Sequence, residues 1–315
     1  MTDIVSRRVA PAALLLAMVL LSGCAAVLTP SQVKEVQTFA KAAENCAQLP
    51  PPVISAYAEA LKERNLLDAA VTSNSTIADK QFRDAFTEKA RHEALTEQTE
   101  ASLAVLRNYG ALLSELSSDE FTEATAESAI RAGKVMDKAS ETLSKLTGET
   151  IPQIGPIIAG VLRAGAGIYI KCRQHKAIKK AVADGGSIVR KITSRIDSLM
   201  NIYTLPPGEK TENVLLREKD KFLESFLSYA KARGPQKSHT DLRIFYDDIE
   251  SVDQAVMLAQ RTQKASRKLV AAHDKLQKAI NQKRTLKTFI EEVQEFKEEV
   301  DAALEIKKKL ESNGS

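Results

Sequence analysis

Apolar residues recur three or four positions apart along most of this chain, and that period predicts amphipathic α-helices rather than strands. The segment 119–147 is the clearest example, because its apolar and small residues form one stripe along a helix. Prolines and short polar stretches separate this segment from its neighbours. The first half of the chain is therefore predicted to form four helices, with Ser31 as the first N-cap, over residues 32–48, 52–71, 76–116 and 119–147.

The second half of the chain continues as helical sequence with clear interruptions. We expect a helix over about residues 171–199 that breaks at Gly185 and Gly186. A proline-rich turn then leads into a helix over about residues 209–233, which a Gly-Pro pair ends.

The last helical stretch is the longest, because residues 240–310 contain neither proline nor glycine. An unbroken helix of this length would extend about 105 Å. Its final part has a heptad pattern, which is typical of coiled coils. Basic residues dominate 264–287 and acidic residues dominate 291–301, and such charge blocks are typical of solvated faces that pair with neighbouring helices.

The amino-acid composition also favours helices. The 315 residues include no tryptophan and only 5% aromatic residues, and the helix formers Ala, Leu, Lys, Glu and Gln dominate. A formal net charge of +4 is too small to indicate a nucleic-acid-binding protein. The expected fold is all-α, an elongated multi-helix bundle with long antiparallel, partly coiled-coil-like helices.

The N-terminus has the three zones of a secretory signal peptide. Arg7 and Arg8 supply positive charge, residues 9–21 form an uncharged apolar run, and Ser22 and Gly23 are small. The apolar run is too short to span a bilayer as a helix, which needs about 20 apolar residues. The pattern therefore predicts an exported protein.

The motif Leu21-Ser22-Gly23-Cys24 resembles the lipobox of bacterial lipoproteins. The resemblance implies cleavage before Cys24, a diacylglycerol on its thiol and acyl chains such as palmitate as the membrane anchor. Residues 1–23 would then be a lipoprotein signal peptide, 24–31 a short tether and 32–315 a single elongated domain. A plain signal peptide with Cys24 incidental, or an uncut anchor, are the alternatives.

The residue after the modified cysteine bears on the destination of a lipoprotein. Here it is the non-acidic Ala25, which resembles the sorting signal for the outer membrane. The expected location is therefore an outer-membrane anchor facing the periplasm, with the inner membrane and the cell surface left open. Cys46 and Cys172 would share this oxidising compartment, where they either form a disulfide or remain two buried thiols.

The apolar hairpin at residues 151–170 stands out, because it carries a single charge, Arg163, and basic residues follow it. One interpretation is contact with a membrane or partner through Ile157, Ile158, Val161, Leu162, Ile168 and Tyr169. A long bundle with an apolar head resembles α-helical pore-forming toxins of the cytolysin A type. The alternative is a buried hairpin, because prolines leave only about 14 residues of continuous helix, a length more typical of a core.

Catalytic and metal-binding patterns are lacking in the sequence. The four histidines are not spaced as metal ligands, and Asp247, Asp248 and Glu250 lack the spacing of a calcium loop and are typical of a solvated helix face. We therefore expect no enzyme, metal, cofactor, nucleic acid or small-molecule substrate.

The expected function is that of a lipid-anchored periplasmic lipoprotein with a structural or protein-interaction role in a cell-envelope assembly. It would contact the membrane through its N-terminal lipid and bind a protein partner or further copies of itself. A membrane-active bundle that inserts the 151–170 hairpin is one alternative. An envelope immunity or exclusion lipoprotein is another.

Overall fold

The computed structural model describes residues 28–164, 169–204, 214–233, 239–281 and 286–313. Within these ranges the chain forms helices and short connections and contains no strand, which confirms the predicted all-α multi-helix bundle. The helices are, in chain order, α1 (Pro30–Cys46), α2 (Pro50–Val71), α3 (Ser75–Leu116), α4 (Glu123–Thr147), α5 (Gly155–Arg163), α6 (Ile170–Thr204), α7 (Val214–Arg233), α8 (His239–Asn281) and α9 (Leu286–Asn313).

Helix α1 begins slightly earlier than predicted, because Thr29 rather than Ser31 is the N-cap. The Thr29 hydroxyl accepts a hydrogen bond from the Gln32 backbone N–H, and the Gln32 side chain accepts one from the Thr29 N–H. This reciprocal pair is a capping box, and Pro30 fits the first turn because a backbone donor is not needed there. Leu28 is only 4% exposed, so the packed region starts within the span predicted as a tether.

Helices α1 and α2 follow one another along α3, which returns in the opposite direction. At 42 residues, α3 is about 63 Å long. Its Gly110 lies against α1 so closely that a Cβ there would sit 2.7 Å from the Ala40 carbonyl oxygen. The turn after α2, at residues 72–74, starts the return.

Helices α4 and α5 form a tight pair at the hairpin singled out from the sequence. Helix α4 ends as predicted at Thr147, and the C-cap Gly148 has a φ of 71°, the left-handed conformation that glycine adopts readily. The Gly133 and Gly155 backbones then meet so closely that a Cβ on Gly133 would lie 3.0 Å from the Gly155 Cα. The Asp137 carboxylate accepts hydrogen bonds from the Ile154 and Gly155 N–H groups and thereby fixes the start of α5.

Helix α6 is continuous, so the predicted break at Gly185 and Gly186 is wrong. Gly185 serves close packing instead, because a Cβ there would lie 2.4 Å from the Tyr109 ring. Its low helix propensity is accepted because a larger residue would keep α3 away from α6. A Cβ on Gly186 would lie 3.4 Å from the His273 ring, which is an ordinary van der Waals distance.

The single C-terminal helix of about 105 Å is also wrong, because two helices, α8 and α9, occupy this stretch and pack against each other. The basic and acidic blocks face each other across the pair. Glu299 lies 2.8 Å from Arg261 and 2.6 Å from Lys264, and Glu295 pairs with Lys268. The sequence interpretation was correct that the charge blocks pair with a neighbouring helix. The neighbour of α9 is α8, which is formed by the first part of the same 240–310 stretch.

One continuous apolar core extends through the bundle from Leu28 to Leu310. Helix α6 runs antiparallel to α8, since Arg190 pairs with Asp274 at 2.9 Å and Asp197 accepts from Ser266 at 2.6 Å. Helix α7 also packs on α8, where the Phe226 ring stacks on Phe245.

Contacts between the helix termini define what we call the Leu28 end of the bundle. The Leu28 backbone N–H donates to His175 Nδ1 at 3.0 Å, near the start of α6. The Gln32 amide donates to the Ala279 carbonyl at 2.9 Å, near the end of α8, and Gln174 donates to the Leu116 carbonyl at the end of α3. The α2–α3 turn and the α7–α8 aromatic contact lie at the opposite end.

Candidate functional site

The described part of the chain contains an open groove of about 680 Å³. It lies beside the last turn of α9 and along α8. Leu310 of α9 and Val252 of α8 both line the groove, and α8 extends 13 residues further, about 20 Å, to His239. The wall is made by α2, α3, α8 and the end of α9, from Gln48, Pro51, Pro52, Ser55, Ala56, Glu59, Ala60, Glu63, Glu100, Arg107, Asp248, Ser251, Val252, Lys307, Leu310 and Glu311. We call it the acidic groove.

Carboxylates outnumber cations on this wall. The five acidic residues are Glu59, Glu63, Glu100, Asp248 and Glu311, against Arg107 and Lys307. Both cations already have a carboxylate neighbour within the groove, Glu100 at 3.7 Å from Arg107 and Glu311 at 3.1 Å from Lys307. The surplus negative charge therefore lies on the α2 and α8 side.

Asp248 shows this surplus most clearly. Burial, followed by the nearby carboxylates of Glu63 and Glu59, raises its pKa from 3.8 to about 6, with Lys62 acting in the opposite direction. Lys62 lies 3.3 Å from Glu63 and also pairs with Glu59. A cation that approached Asp248 would relieve the repulsion among these carboxylates.

The rest of the wall is apolar or small, with Pro51, Pro52 and Ala56 of α2 opposite Val252 and Leu310. In the described residues no three His, Cys, Asp or Glu side chains are arranged to hold a metal ion. The apolar floor and negative flank of the groove are the features of a surface that binds a basic, partly apolar helix.

A buried polar pair, Tyr109 and His273, lies in the middle of the core. The Tyr109 hydroxyl and His273 Nε2 are 2.8 Å apart, and the hydroxyl is 3.4 Å from the Ala181 carbonyl. Burial lowers the pKa of His273 to about 4 and raises that of Tyr109. Both side chains are almost fully buried under α6, so the pair joins α3, α6 and α8 rather than meeting a ligand.

The residues predicted for membrane or partner contact at the hairpin divide into two groups. Ile158 and Leu162 are buried in the core and Val161 is half-buried against it. Ile157 and Tyr169 are 36% and 71% exposed, and Ile168 lies outside the described residues. Insertion of this segment into a bilayer would require Ile158 and Leu162 to leave the core.

No described helix combines the length and the apolar character that are needed to cross a membrane. The predicted lipidation site, Cys24, lies outside the described residues, as does the whole lipobox. The lipid anchor is therefore a prediction from the sequence.

The disulfide that the sequence left open between Cys46 and Cys172 does not form. Both thiols are buried, but α1 extends from the Leu28 end and carries Cys46 about 27 Å along the bundle from Leu28. Cys172 stays near that end, three residues before His175. A disulfide requires Cα atoms within about 7 Å. Burial, and then the charge of Asp197, raise the pKa of Cys46 to about 12.

The sequence pattern did not predict the acidic groove, although it placed Asp248 in an acidic cluster on a solvated helix face. Glu59 and Glu63, which lie near Asp248 in the fold, are far from it in sequence. Helical spacing on α2 alone does not show which of its carboxylates face α8. Comparison with known proteins gave no match to any family model, curated protein or solved structure.

Proposed function

We propose that this protein is a non-enzymatic, lipid-anchored lipoprotein of the bacterial envelope that binds a protein partner in the acidic groove. The observation that carries the proposal is the groove itself. It offers an apolar floor and unbalanced carboxylates where α9 ends. A structural role within an envelope assembly follows from a long bundle that is fixed at one point and binds a partner at another.

The anchor part of the proposal is supported by the N-terminal sequence. Leu21-Ser22-Gly23-Cys24 follows an uncharged apolar run and resembles a lipobox, and Ala25 favours an outer-membrane anchor facing the periplasm. More than one acyl chain on the new N-terminus would hold the protein stably, since a single chain gives only marginal binding.

The partner that fits the groove is a basic amphipathic helix. Leu310 lies beside Val252 and α9 ends three residues later, so about 10 residues of α8, or about 15 Å of helix, extend beyond the end of α9 toward His239. A partner helix of similar length would place apolar residues on Pro52, Ala56 and Val252 and basic residues next to Glu63 and Asp248. Such a helix would lie on α8 in line with α9, beyond the end of α9.

The membrane-active alternative has less support. It needs the 151–170 hairpin to be available, but Ile158 is fully buried and Leu162 is 2% exposed. Asp137 also holds the start of α5 through two backbone hydrogen bonds. An interaction lipoprotein uses the bundle as it is folded.

Site-specific photocrosslinking in intact cells tests the proposal. A photoreactive amino acid at Ser55, an exposed position of the groove, should give one discrete protein adduct. The same group at Leu146, exposed on α4, a helix that does not line the groove, serves as the control. Adding Glu59→Lys and Glu63→Lys should remove the Ser55 adduct. Equal adducts at both positions, or an adduct that is insensitive to charge reversal, would contradict a groove-specific partner.

A further inference from the structure

We infer that the Leu28 end of the bundle is a membrane-facing surface that binds anionic phospholipid head groups and holds the bundle upright on the bilayer. The basic side chains that form this surface are Arg163, Lys176, Lys278 and Lys287. The inference rests on the proposed lipid anchor at Cys24, and it adds an orientation and a lipid preference that the anchor alone does not provide.

Covalent geometry places the anchor near this end. Leu28 follows Cys24 by four residues, so their Cα atoms lie within about 15 Å at ~3.8 Å per residue. Leu28 itself is held firmly, because it is 4% exposed and its N–H donates to His175 Nδ1 at 3.0 Å. A bilayer that holds the acyl chains of Cys24 must therefore lie beside the Leu28 end.

Basic residues surround the point where the chain enters the bundle. Lys176 follows His175, the partner of Leu28, and Lys278 precedes Ala279, whose carbonyl accepts from Gln32 at 2.9 Å. Burial lowers the pKa of His175, and the charges of Lys171 and Lys179 lower it further. The ammonium groups of these two lysines therefore lie near the entry point.

Four basic side chains at this end are available to an external anion. Arg163, Lys176, Lys278 and Lys287 are exposed and form no ion pair within the described part of the chain. Carboxylates also lie at this end, among them Glu115, Asp119, Glu120 and Glu291, while Glu123 is paired with Arg173. The four cations without an ion pair are the positive groups that a phospholipid head group can reach.

The charges of the rest of the molecule favour the same orientation. Along α8, Val252 at the acidic groove is 27 residues from Ala279, which corresponds to about 40 Å. An upright bundle keeps Glu59, Glu63 and Asp248 at that distance from anionic head groups, beyond a Debye length of about 8 Å. A bundle lying on its side would bring these carboxylates toward a like-charged surface.

Energy transfer in vesicles tests the orientation with the whole, acylated protein. Ser55→Cys accepts a fluorescent donor at the groove, since Cys46 and Cys172 are buried. The acceptor is a dye-labelled lipid, in vesicles of phosphatidylglycerol with phosphatidylethanolamine or of phosphatidylcholine alone. In anionic vesicles the wild type should show low transfer. The triple variant Lys176→Gln/Lys278→Gln/Lys287→Gln should show at least twofold higher transfer, because the bundle is free to tilt.

A charge-matched control isolates the position of the lysines from their number. Lys80→Gln/Lys221→Gln/Lys231→Gln removes three exposed lysines toward the opposite end and should behave like the wild type. Transfer that is the same for both triple variants, or the same in anionic and zwitterionic vesicles, overturns the inference.

The outcome also separates this inference from the proposed anchor. If the purified protein carries no acyl chain, the anchor proposal fails. The same vesicles then test the surface directly by cosedimentation, where each basic residue contributes roughly a fivefold change in affinity for anionic lipid. Salt-sensitive binding to phosphatidylglycerol that the Lys176 triple variant loses would support the surface, and equal binding by both triple variants would exclude it.

Discussion

Gly185 lies on the face of α6 that passes over Tyr109, and no side chain fits there. A Cβ would lie 2.4 Å from the Tyr109 ring, and that ring is fully buried and bonded to His273. The same glycine lowers helix propensity, which is why the sequence pattern predicted a break. Propensity acts locally, whereas the requirement here is imposed by α3, which is remote in sequence.

Gly185→Ala should therefore destabilise the protein although alanine is the better helix former. Overpacking of this kind costs about 1–3 kcal/mol, which corresponds to a fall in melting temperature of about 2–5 °C. Gly160→Ala is the matched control, because nothing lies within 4 Å of its Cβ position on α5. Thermal unfolding followed by circular dichroism should show a loss for Gly185→Ala and no loss for Gly160→Ala. Equal melting temperatures would contradict the packing described.

Asp248 gives a prediction about pH. Its pKa is about 6 in the folded protein against 3.8 for the ordinary carboxyl group, so ionisation is less favourable in the folded state. The stability that this group contributes is present below pH 3.8 and is lost as the pH rises toward 6. Asp248→Asn should thus gain stability relative to the wild type between pH 4 and 7, on the order of 1 kcal/mol.

The measurement is the melting temperature of both proteins across that pH range. Comparison at each pH cancels the contribution of His273, whose lowered pKa destabilises both proteins as the pH falls from 6.5 toward 4. Asp79→Asn, at an exposed position of α3, reports the general effect of removing a carboxylate. A difference between Asp248→Asn and wild type that stays constant with pH would show that the groove does not perturb Asp248.

At the scale of elements, the α8–α9 pair shows how far charge patterning predicts structure. The basic and acidic blocks and the heptad pattern both indicated a paired helix. The sequence pattern did not locate the end of α8, because residues 240–310 contain no proline or glycine to mark it. The apolar stripe is equally compatible with one long helix, and packing of Phe296 on Phe39 of α1 favours the folded pair.

Glu299 is the test of this pair. Its side chain is 8% exposed, and burial would raise its pKa, but hydrogen bonds from Arg261 and Lys264 outweigh burial and lower it. Its contribution is present above pH 4.5 and is lost as the pH falls below that value. Glu299→Gln should therefore cost about 1 kcal/mol at pH 7. Chemical denaturation should show this loss, with Glu298→Gln on the neighbouring position as the control. A Glu299→Gln variant with the stability of the wild type would show that these ion pairs do not stabilise the α8–α9 pair.

The acidic groove belongs to the same scale, and the sequence could not predict it. Its position depends on α9 ending beside Val252 while α2, α3 and α8 continue. That relation is set by how four helices pack, not by the pattern of any one of them. The hairpin at residues 151–170 differs, because its proline spacing did indicate burial as one of two alternatives. Ile158 is indeed buried in the core.

At the scale of the whole molecule, two ends with different chemistry are joined by helices of about 63 Å. The chain enters at the Leu28 end, beside basic residues, and the acidic groove lies about 40 Å along α8. If Cys24 carries lipid, the reach of the protein into the periplasm is set by helix length. The few residues between Cys24 and Leu28 allow little additional distance.

The lipid anchor is the claim on which this arrangement depends, and intact mass spectrometry of the protein extracted from membranes tests it most directly. We expect a chain that begins at Cys24 and carries a diacylglycerol and a further acyl group. The variant Cys24→Ala should remain uncut or leave the membrane fraction. An unmodified chain that begins at another residue, or wild-type membrane fractionation of Cys24→Ala, would contradict the account.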